Sequence, residues 1–340
     1  TWYGKQVLIT GICGTIGKQV LSTLHNQKNI KIIGIDINET ELFFLKDKYR
    51  KYKNIKLYYC DVRDANGLIQ LAKKSNYIIH AAALKHVDIC EFSPVDAIKT
   101  NVLGTQSIIN LAENINCERV LFTSTDKAVN PTNVMGTSKL LAERLMSSAT
   151  FRNSGKKPIF ISTRFGNVLG SRGSVIPLFK KQIKNGGPIT LMNRNMTRFI
   201  MTLEEATSLV LDSFFIGLGG EVFVTKMPVI KIIDLAEIMI EILAPKYGFS
   251  PQDVKIEIIG ERPGEKIYEE LTNNEEIRRT IEMKKYLCII PPTNTLSLEE
   301  VSKKYINVTN PHVTNPYNSS VEDKMTKHEL KDYLLSKKII

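Results

Sequence analysis

The stretch 11-GICGTIG-17 lies between an apolar run, KQVLIT, and a helical-period segment, TIGKQVLSTLHNQ, and no other feature narrows the fold as much. A glycine loop that leaves a strand and opens a helix serves three ends at once. Gly11 permits the sharp turn, Gly14 lets backbone approach a pyrophosphate, and Gly17 allows close helix packing. The helix N-terminus, at Thr15 and Ile16, offers N–H donors to the phosphates. Such a loop alone is weak evidence, but Asp36 follows at the end of a second run, IKIIGID, nineteen residues after Gly17. Read singly, Asp36 is a strand-end turn residue. In this setting its carboxylate accepts from adenosine ribose hydroxyls and repels a 2′-phosphate, and no arginine follows it in IDINETE. NAD is therefore expected rather than NADP.

Apolar runs and helical segments keep alternating: IKLYYCDV with ANGLIQLAKKS, then YIIHAAA with PVDAIKTNVLGTQSIINLAENI. That order implies an α/β chain with a Rossmann-type, doubly wound parallel sheet over residues 1–168. Residues 169–340 should form mainly a smaller, mixed α/β substrate lobe, with segments returning to the Rossmann core. Asp61 and Val62 end the third run, where Asp61 either faces adenine or caps the next helix. Ala81, Ala82 and Ala83 leave room for a flat ring beside the fourth. Residues 305–325, rich in Asn, Thr, Pro and Ser, read as irregular. A last helix is expected from 326-TKHELKDYLL-335, where Thr326 and Glu329 have capping-box spacing.

Composition removes other classes. The net charge is +11, but the lysines are spread from end to end without a basic block interleaved with aromatics, so nucleic acid is not an expected partner. The five cysteines form no C-x-x-C pair and suit buried thiols, and no metal-ligand spacing occurs. There is no apolar run of about 18 residues. No membrane partner and a cytoplasmic location are expected.

The segment 121-LFTSTDKAVNPTNVMGTSKLLAERL-145 completes a set with TGICGTIG, HAAALKHVD, RFGNVLGSRGSVIP, TRFIMT and GERPGEK. Taken together, from about residue 7 to 270, these resemble an extended short-chain dehydrogenase/reductase, and within it the nucleotide-sugar 4,6-dehydratases acting on UDP-N-acetylglucosamine. The wider family carries Y-x-x-x-K beside the nicotinamide. Here that spacing is kept as Met135 and Lys139, one helical turn apart. Lys139 can still hold the nicotinamide ribose, but a thioether cannot take a proton. The resemblance implies that Thr125, Asp126 and Lys127 carry the proton chemistry.

The implied reaction oxidises sugar C4, eliminates water across C5 and C6, and returns the hydride to C6, with retention at C5 favoured. Lys127, with a lowered pKa, is expected to take the C5 proton. Asp126, protonated, is expected to donate to the departing 6-hydroxyl, with Thr125 orienting the 4-hydroxyl. The acceptor of the 4-hydroxyl proton stays open among Asp126, Lys127 and water. For the UDP-sugar, the resemblance implies Asn167 at the pyrophosphate, Arg198 and Arg262 at phosphate, Glu265 at the uridine ribose, and Ser174 and Val175 in the SRGSVIP turn. Lys85 is either a contact to the sugar or its phosphate, or an exposed loop lysine. A homo-oligomer is expected. The competing readings are a nucleotide-sugar 4-epimerase and an NAD-binding module without catalysis.

Overall fold

In the computed structural model, residues 1–152, 157–171, 173–260 and 263–340 are described. Strands and helices alternate through the first half: β1 (Gln6–Thr10), α1 (Thr15–Leu24), β2 (Lys31–Asp36), α2 (Glu39–Lys48), β3 (Ile55–Tyr59), α3 (Ala65–Ala72) and β4 (Tyr77–His80). The short helices α4 (Val87–Phe92) and α5 (Pro94–Ala97) run through a π-helical stretch, Ile98–Leu103, into α6 (Gly104–Asn114). Then come β5 (Arg119–Thr125), α7 (Val134–Arg152) and β6 (Ile159–Phe165). These six strands pair in parallel in the order β3-β2-β1-β4-β5-β6. β4 and β5 are almost wholly buried, as strands covered by helices on both faces must be.

The second half serves two structures. β7 (Asn167–Val168), α8 (Val175–Lys184), β8 (Ile189–Leu191), β9 (Thr197–Met201), α9 (Leu203–Ile216) and β10 (Val222–Thr225) follow β6. Next are β11 (Val229–Lys231), α10 (Ile232–Leu243), β12 (Ile256–Ile258), β13 (Thr280–Met283), β14 (Tyr286–Ile289), α11 (Leu298–Ser302), β15 (Val308–Asn310) and α12 (Lys327–Ser336). β10 extends the main sheet in parallel beside β6, and β14, β13 and β15 complete a ten-stranded sheet in antiparallel fashion. β11-β9-β7 and β12-β8 form two small sheets at the lobe. The lobe has its own apolar core, in which Phe179, Ile183, Leu235 and Met239 meet Leu330 and Leu334 of α12. Thr326 and Glu329 cap α12 reciprocally, as their spacing predicts. The 305–325 segment is not wholly irregular, because β15 pairs with β13 at the sheet edge. The five cysteines are buried thiols, none of them in a disulfide. Among the described residues no helix is long and apolar enough to cross a membrane.

Candidate active site

The glycine loop is bare for steric reasons. Gly11 has φ +66°, and a Cβ there would lie 2.7 Å from the Ala82 nitrogen. A Cβ on Gly17 would collide with the Gly11 carbonyl, and one on Gly14 would sit 3.1 Å from it. Gly14 is the N-cap of α1 and brings no side-chain cap, and the first turn of α1 holds no acid. A helix N-terminus of this kind favours an anion. Asp36 braces the loop: its carboxylate accepts from the Cys13 and Asn38 nitrogens, each at 2.9 Å.

A cleft of about 740 Å³ runs from this loop, past the ends of β4 and β5, to the lobe. Gly11, Gly14, Thr15, Ile16, Gly17 and Ala81 line one end; Lys85, Asn167, Ser174, Val175, Arg198 and Glu265 line the other. Thr125, Asp126, Lys127, Met135 and Lys139 lie between. Four expected cofactor residues do not line it. Asp36 stands behind the loop, and the Ala82 nitrogen donates to Thr10 Oγ1 at 3.2 Å. The Asp61 carboxylate is gripped by the Arg63 guanidinium and backbone nitrogen, and the cap of α3 is Asp64 instead. The Val62 side chain is buried in the core, where a Cβ on Gly104 would come within 2.9 Å of it. Arg262 falls outside the described residues.

At the centre, Asn133 immediately precedes α7, and its side chain accepts from the Gly136 nitrogen at 2.7 Å. Gly136 has no room for a Cβ because the Lys127 carbonyl lies against it, so the Asp126–Ala128 turn is seated directly on α7. Met135 is buried beside Cys90 and Ala97. Lys139 is also buried; its Nζ donates to the Thr123 carbonyl at 2.6 Å and lies 4.0 Å from the centre of the Phe122 ring. Burial, only partly opposed by Glu143, lowers the Lys139 pKa to about 7.

Asp126 is buried and accepts from Thr125 Oγ1 at 2.6 Å. Lys127 Nζ reaches Asp126 Oδ2 at 3.3 Å and Glu269 Oε1 at 3.0 Å, and Arg198 Nε lies 3.2 Å from the same Glu269 oxygen. These contacts overturn the expected protonation. Burial would lower the Lys127 pKa, but the Asp126 and Glu269 carboxylates outweigh it and hold the ammonium above its ordinary value. Burial would raise Asp126, but Lys127, with hydrogen bonds from Glu269 and Thr125, brings it below the ordinary carboxylate range. The lowered amine is thus Lys139, and the raised carboxyl is Glu269, pushed up to about 7 by burial and by the Asp126 charge. Arg198 is not free for a phosphate: it also donates to the Thr197, Ile267 and Lys266 carbonyls.

Glu269 escaped the sequence reading. It sits just past GERPGEK in an irregular segment, and its backbone is clamped by Ser319: Oγ accepts from the Glu269 nitrogen and the Ser319 nitrogen donates to the Glu269 carbonyl, both at 2.9 Å. Ser319 is in turn 2.9 Å from Thr197 Oγ1 on β9. Nearby, Arg164 bridges the buried Glu143 and Glu276 and donates to the Leu271 carbonyl, tying the segment to the sheet. Three buried polar atoms have no hydrogen-bond partner among the described residues: Ser124 Oγ, Ser174 Oγ and Glu269 Oε2. All three residues line the cleft, where a ligand or a proton would satisfy them.

Residues 7–291 match the family described as "Polysaccharide biosynthesis protein". The chain is 50% identical over 289 residues to the "Uncharacterized membrane protein MJ1061" of Methanocaldococcus jannaschii, covering 84% of this chain and 86% of that one. It is 40% identical to a UDP-glucose 4-epimerase of Rickettsia bellii, covering 84% and 82% of the two. It is 41% identical to the capsular polysaccharide biosynthesis protein CapD of Staphylococcus aureus, covering 80% of this chain but only 46% of CapD. The X-ray structure of Pen from Bacillus thuringiensis superposes with a TM-score of 0.91 at 38% identity, covering 100% of this chain and 99% of that one.

Proposed function

The chain belongs to the polysaccharide biosynthesis protein family, and from that premise we propose that it is a UDP-N-acetylglucosamine 4,6-dehydratase. The observation that carries this reading is the cluster of the part-buried Lys127 with the buried Asp126 and Glu269 carboxylates facing the cleft, with Met135 where a phenol would otherwise serve. An elimination needs an acid and a base close together on one substrate; this cluster supplies both.

NAD suits the bare glycine loop, the uncapped N-terminus of α1 and the unpartnered Ser124 hydroxyl. When bound, it supplies hydride removal at C4 and hydride return at C6. The protein's residues handle the protons. Thr125 orients the 4-hydroxyl, and Lys139, poised near neutrality, takes the proton that Met135 cannot accept. The C4 ketone then acidifies the C5 proton. Asp126 and Lys127 share one proton in the resting ion pair, and moving it from lysine to aspartate yields the acid and base that elimination requires. In the resting pair that proton sits on Lys127 rather than on Asp126. Ser174, at the N-cap of α8 with its hydroxyl unpartnered, Asn167 and Lys85 suit the phosphates and sugar of a UDP-hexose.

A 4-epimerase is the second reading, favoured by the name of the Rickettsia relative. It needs no C5 deprotonation, and so leaves the cluster without a task. Incubation with UDP-N-acetylglucosamine in deuterated water separates the two. The dehydratase gives a 4-keto-6-deoxy product carrying deuterium at C5, read by proton NMR. Conversion to the C4 epimer without C5 exchange would overturn the proposal.

A further inference from the structure

Glu269 is the group in the cluster whose proton the ion pair does not account for. Its Oε1 accepts from Lys127 at 3.0 Å and faces Arg198 at 3.2 Å, while Oε2 is buried with no donor. The charged groups packed around it are Asp126 and Lys127 from the turn after β5 and Arg198 from β9, with Glu265, Lys266 and Glu270 on its own segment. Two buried carboxylates that both accept from one ammonium repel each other, and a proton on one relieves this. That proton also turns Glu269 into a hydrogen-bond donor to the neighbouring Asp126 carboxylate.

We propose that Glu269 is a positioning residue that sets the tautomer of the Asp126–Lys127 pair. With Glu269 protonated, the three residues hold two protons and no net charge in either tautomer, and Lys127 can pass its proton to Asp126 without leaving a charge behind. With Glu269 ionised, Lys127 is held between two carboxylates and keeps its proton. The inference rests on the dehydratase reading for the reaction it serves. In the elimination, the Asp126 O–H breaks as the C6 oxygen takes that proton, the C6–O bond breaks and water leaves. The C5–H bond breaks as Lys127 takes that proton. The cluster returns to Asp126 ionised, Lys127 protonated and Glu269 neutral. When Lys127 gives its proton back to C5, the cluster is one proton short, and the proton released earlier by the C4 hydroxyl makes up that deficit.

Because Glu269 loses its proton near pH 7, its contribution is present in acid and fades as pH rises through that value. Glu269→Gln keeps the neutral shape without the ionisation. In kcat/KM for UDP-N-acetylglucosamine, the variant should lose the alkaline fall of the wild type, so the two profiles cross, with Gln lower at about pH 6 and higher at about pH 8.5. Glu269→Asp should restore an alkaline limb. Parallel profiles, with Gln lower throughout, would overturn the proposal as a merely structural role. A second readout needs no substrate: infrared difference spectra of the protein alone should show a carboxylic-acid carbonyl band that titrates near neutrality in the wild type and is missing in Glu269→Gln. A band that is absent from the wild type, or survives the substitution, also overturns it. Failure to turn over any UDP-hexose while the band behaves as expected sinks the dehydratase reading and leaves the proton on Glu269 standing.

Discussion

At the glycine-loop end of the cleft, most of the lining comes from a single seven-residue stretch, 11–17, whose three glycines keep backbone bare where a Cβ would crowd or collide. From the centre of the cleft to its other end the lining groups are largely charged side chains from far apart, with Lys127 and Glu269 separated by 142 residues. The first end recognises a shape common to all dinucleotides and needs only that nothing intrude. The second does chemistry, and each group's proton affinity is set by neighbours from other elements. An error at the first end should therefore cost binding, and one at the second should cost turnover with binding intact.

The largest expected effect lies at the charged end. Lys127→Ala removes the cation between two buried carboxylates and the base for C5, so turnover should fall by roughly 10²- to 10⁴-fold, with exchange of deuterium into C5 abolished. NAD affinity, measured by calorimetry, should stay within about 2-fold, since Lys127 is not part of the loop. Parallel losses of binding and turnover would show that the two ends are not separable. Undiminished exchange at C5 would remove Lys127 from the proton chemistry.

Next is Gly11→Ala. Here φ is +66° and the new Cβ would press on the backbone of Ala81 and Ala82, which cannot rotate away as a side chain would. The strain and the collision together should destabilise the fold by about 1–3 kcal/mol and weaken NAD by 10-fold or more. Thermal unfolding with and without NAD reads both. An unchanged midpoint with unchanged NAD affinity would mean that the loop tolerates side chains and that its bareness does not define this end.

The same contrast explains what was legible in the sequence. Gly11, Gly14 and Gly17 were readable because the loop, the strand before it and the helix after it are adjacent in the chain, and the steric demands are local. The turn at Thr125–Lys127 lines the cleft, and its position is legible for the same reason: it follows the apolar strand RVLFTST. Its protonation is not, because the Lys127 pKa depends on Glu269, and nothing in YEEL distinguishes that carboxylate from its neighbour Glu270. Glu269 is placed by Ser319 and Thr197, and Ser319 lies in the segment that reads as irregular. The only available hint was the nearness of YEEL to GERPGEK. The lobe's small sheets, of strands two to five residues long, were likewise too short for periodicity to register.

The smallest expected effect concerns Asp61, which the sequence leaves open between a place beside adenine and a helix cap and which the structure ties to its own neighbour. The Arg63 guanidinium and backbone nitrogen both bind its carboxylate, and the pair is part-exposed, with side-chain exposures of 42% for Arg63 and 25% for Asp61. An exposed pair of this kind contributes about 0–1 kcal/mol. Asp61→Ala should therefore shift stability by less than about 1 kcal/mol, and NAD affinity by less than about 5-fold. A larger loss of NAD affinity with stability unchanged would mean that Asp61 leaves Arg63 for the nucleotide on binding. The cofactor end would then depend on one rearranging side chain as well as on bare backbone, and the division between the two ends would hold for turnover alone.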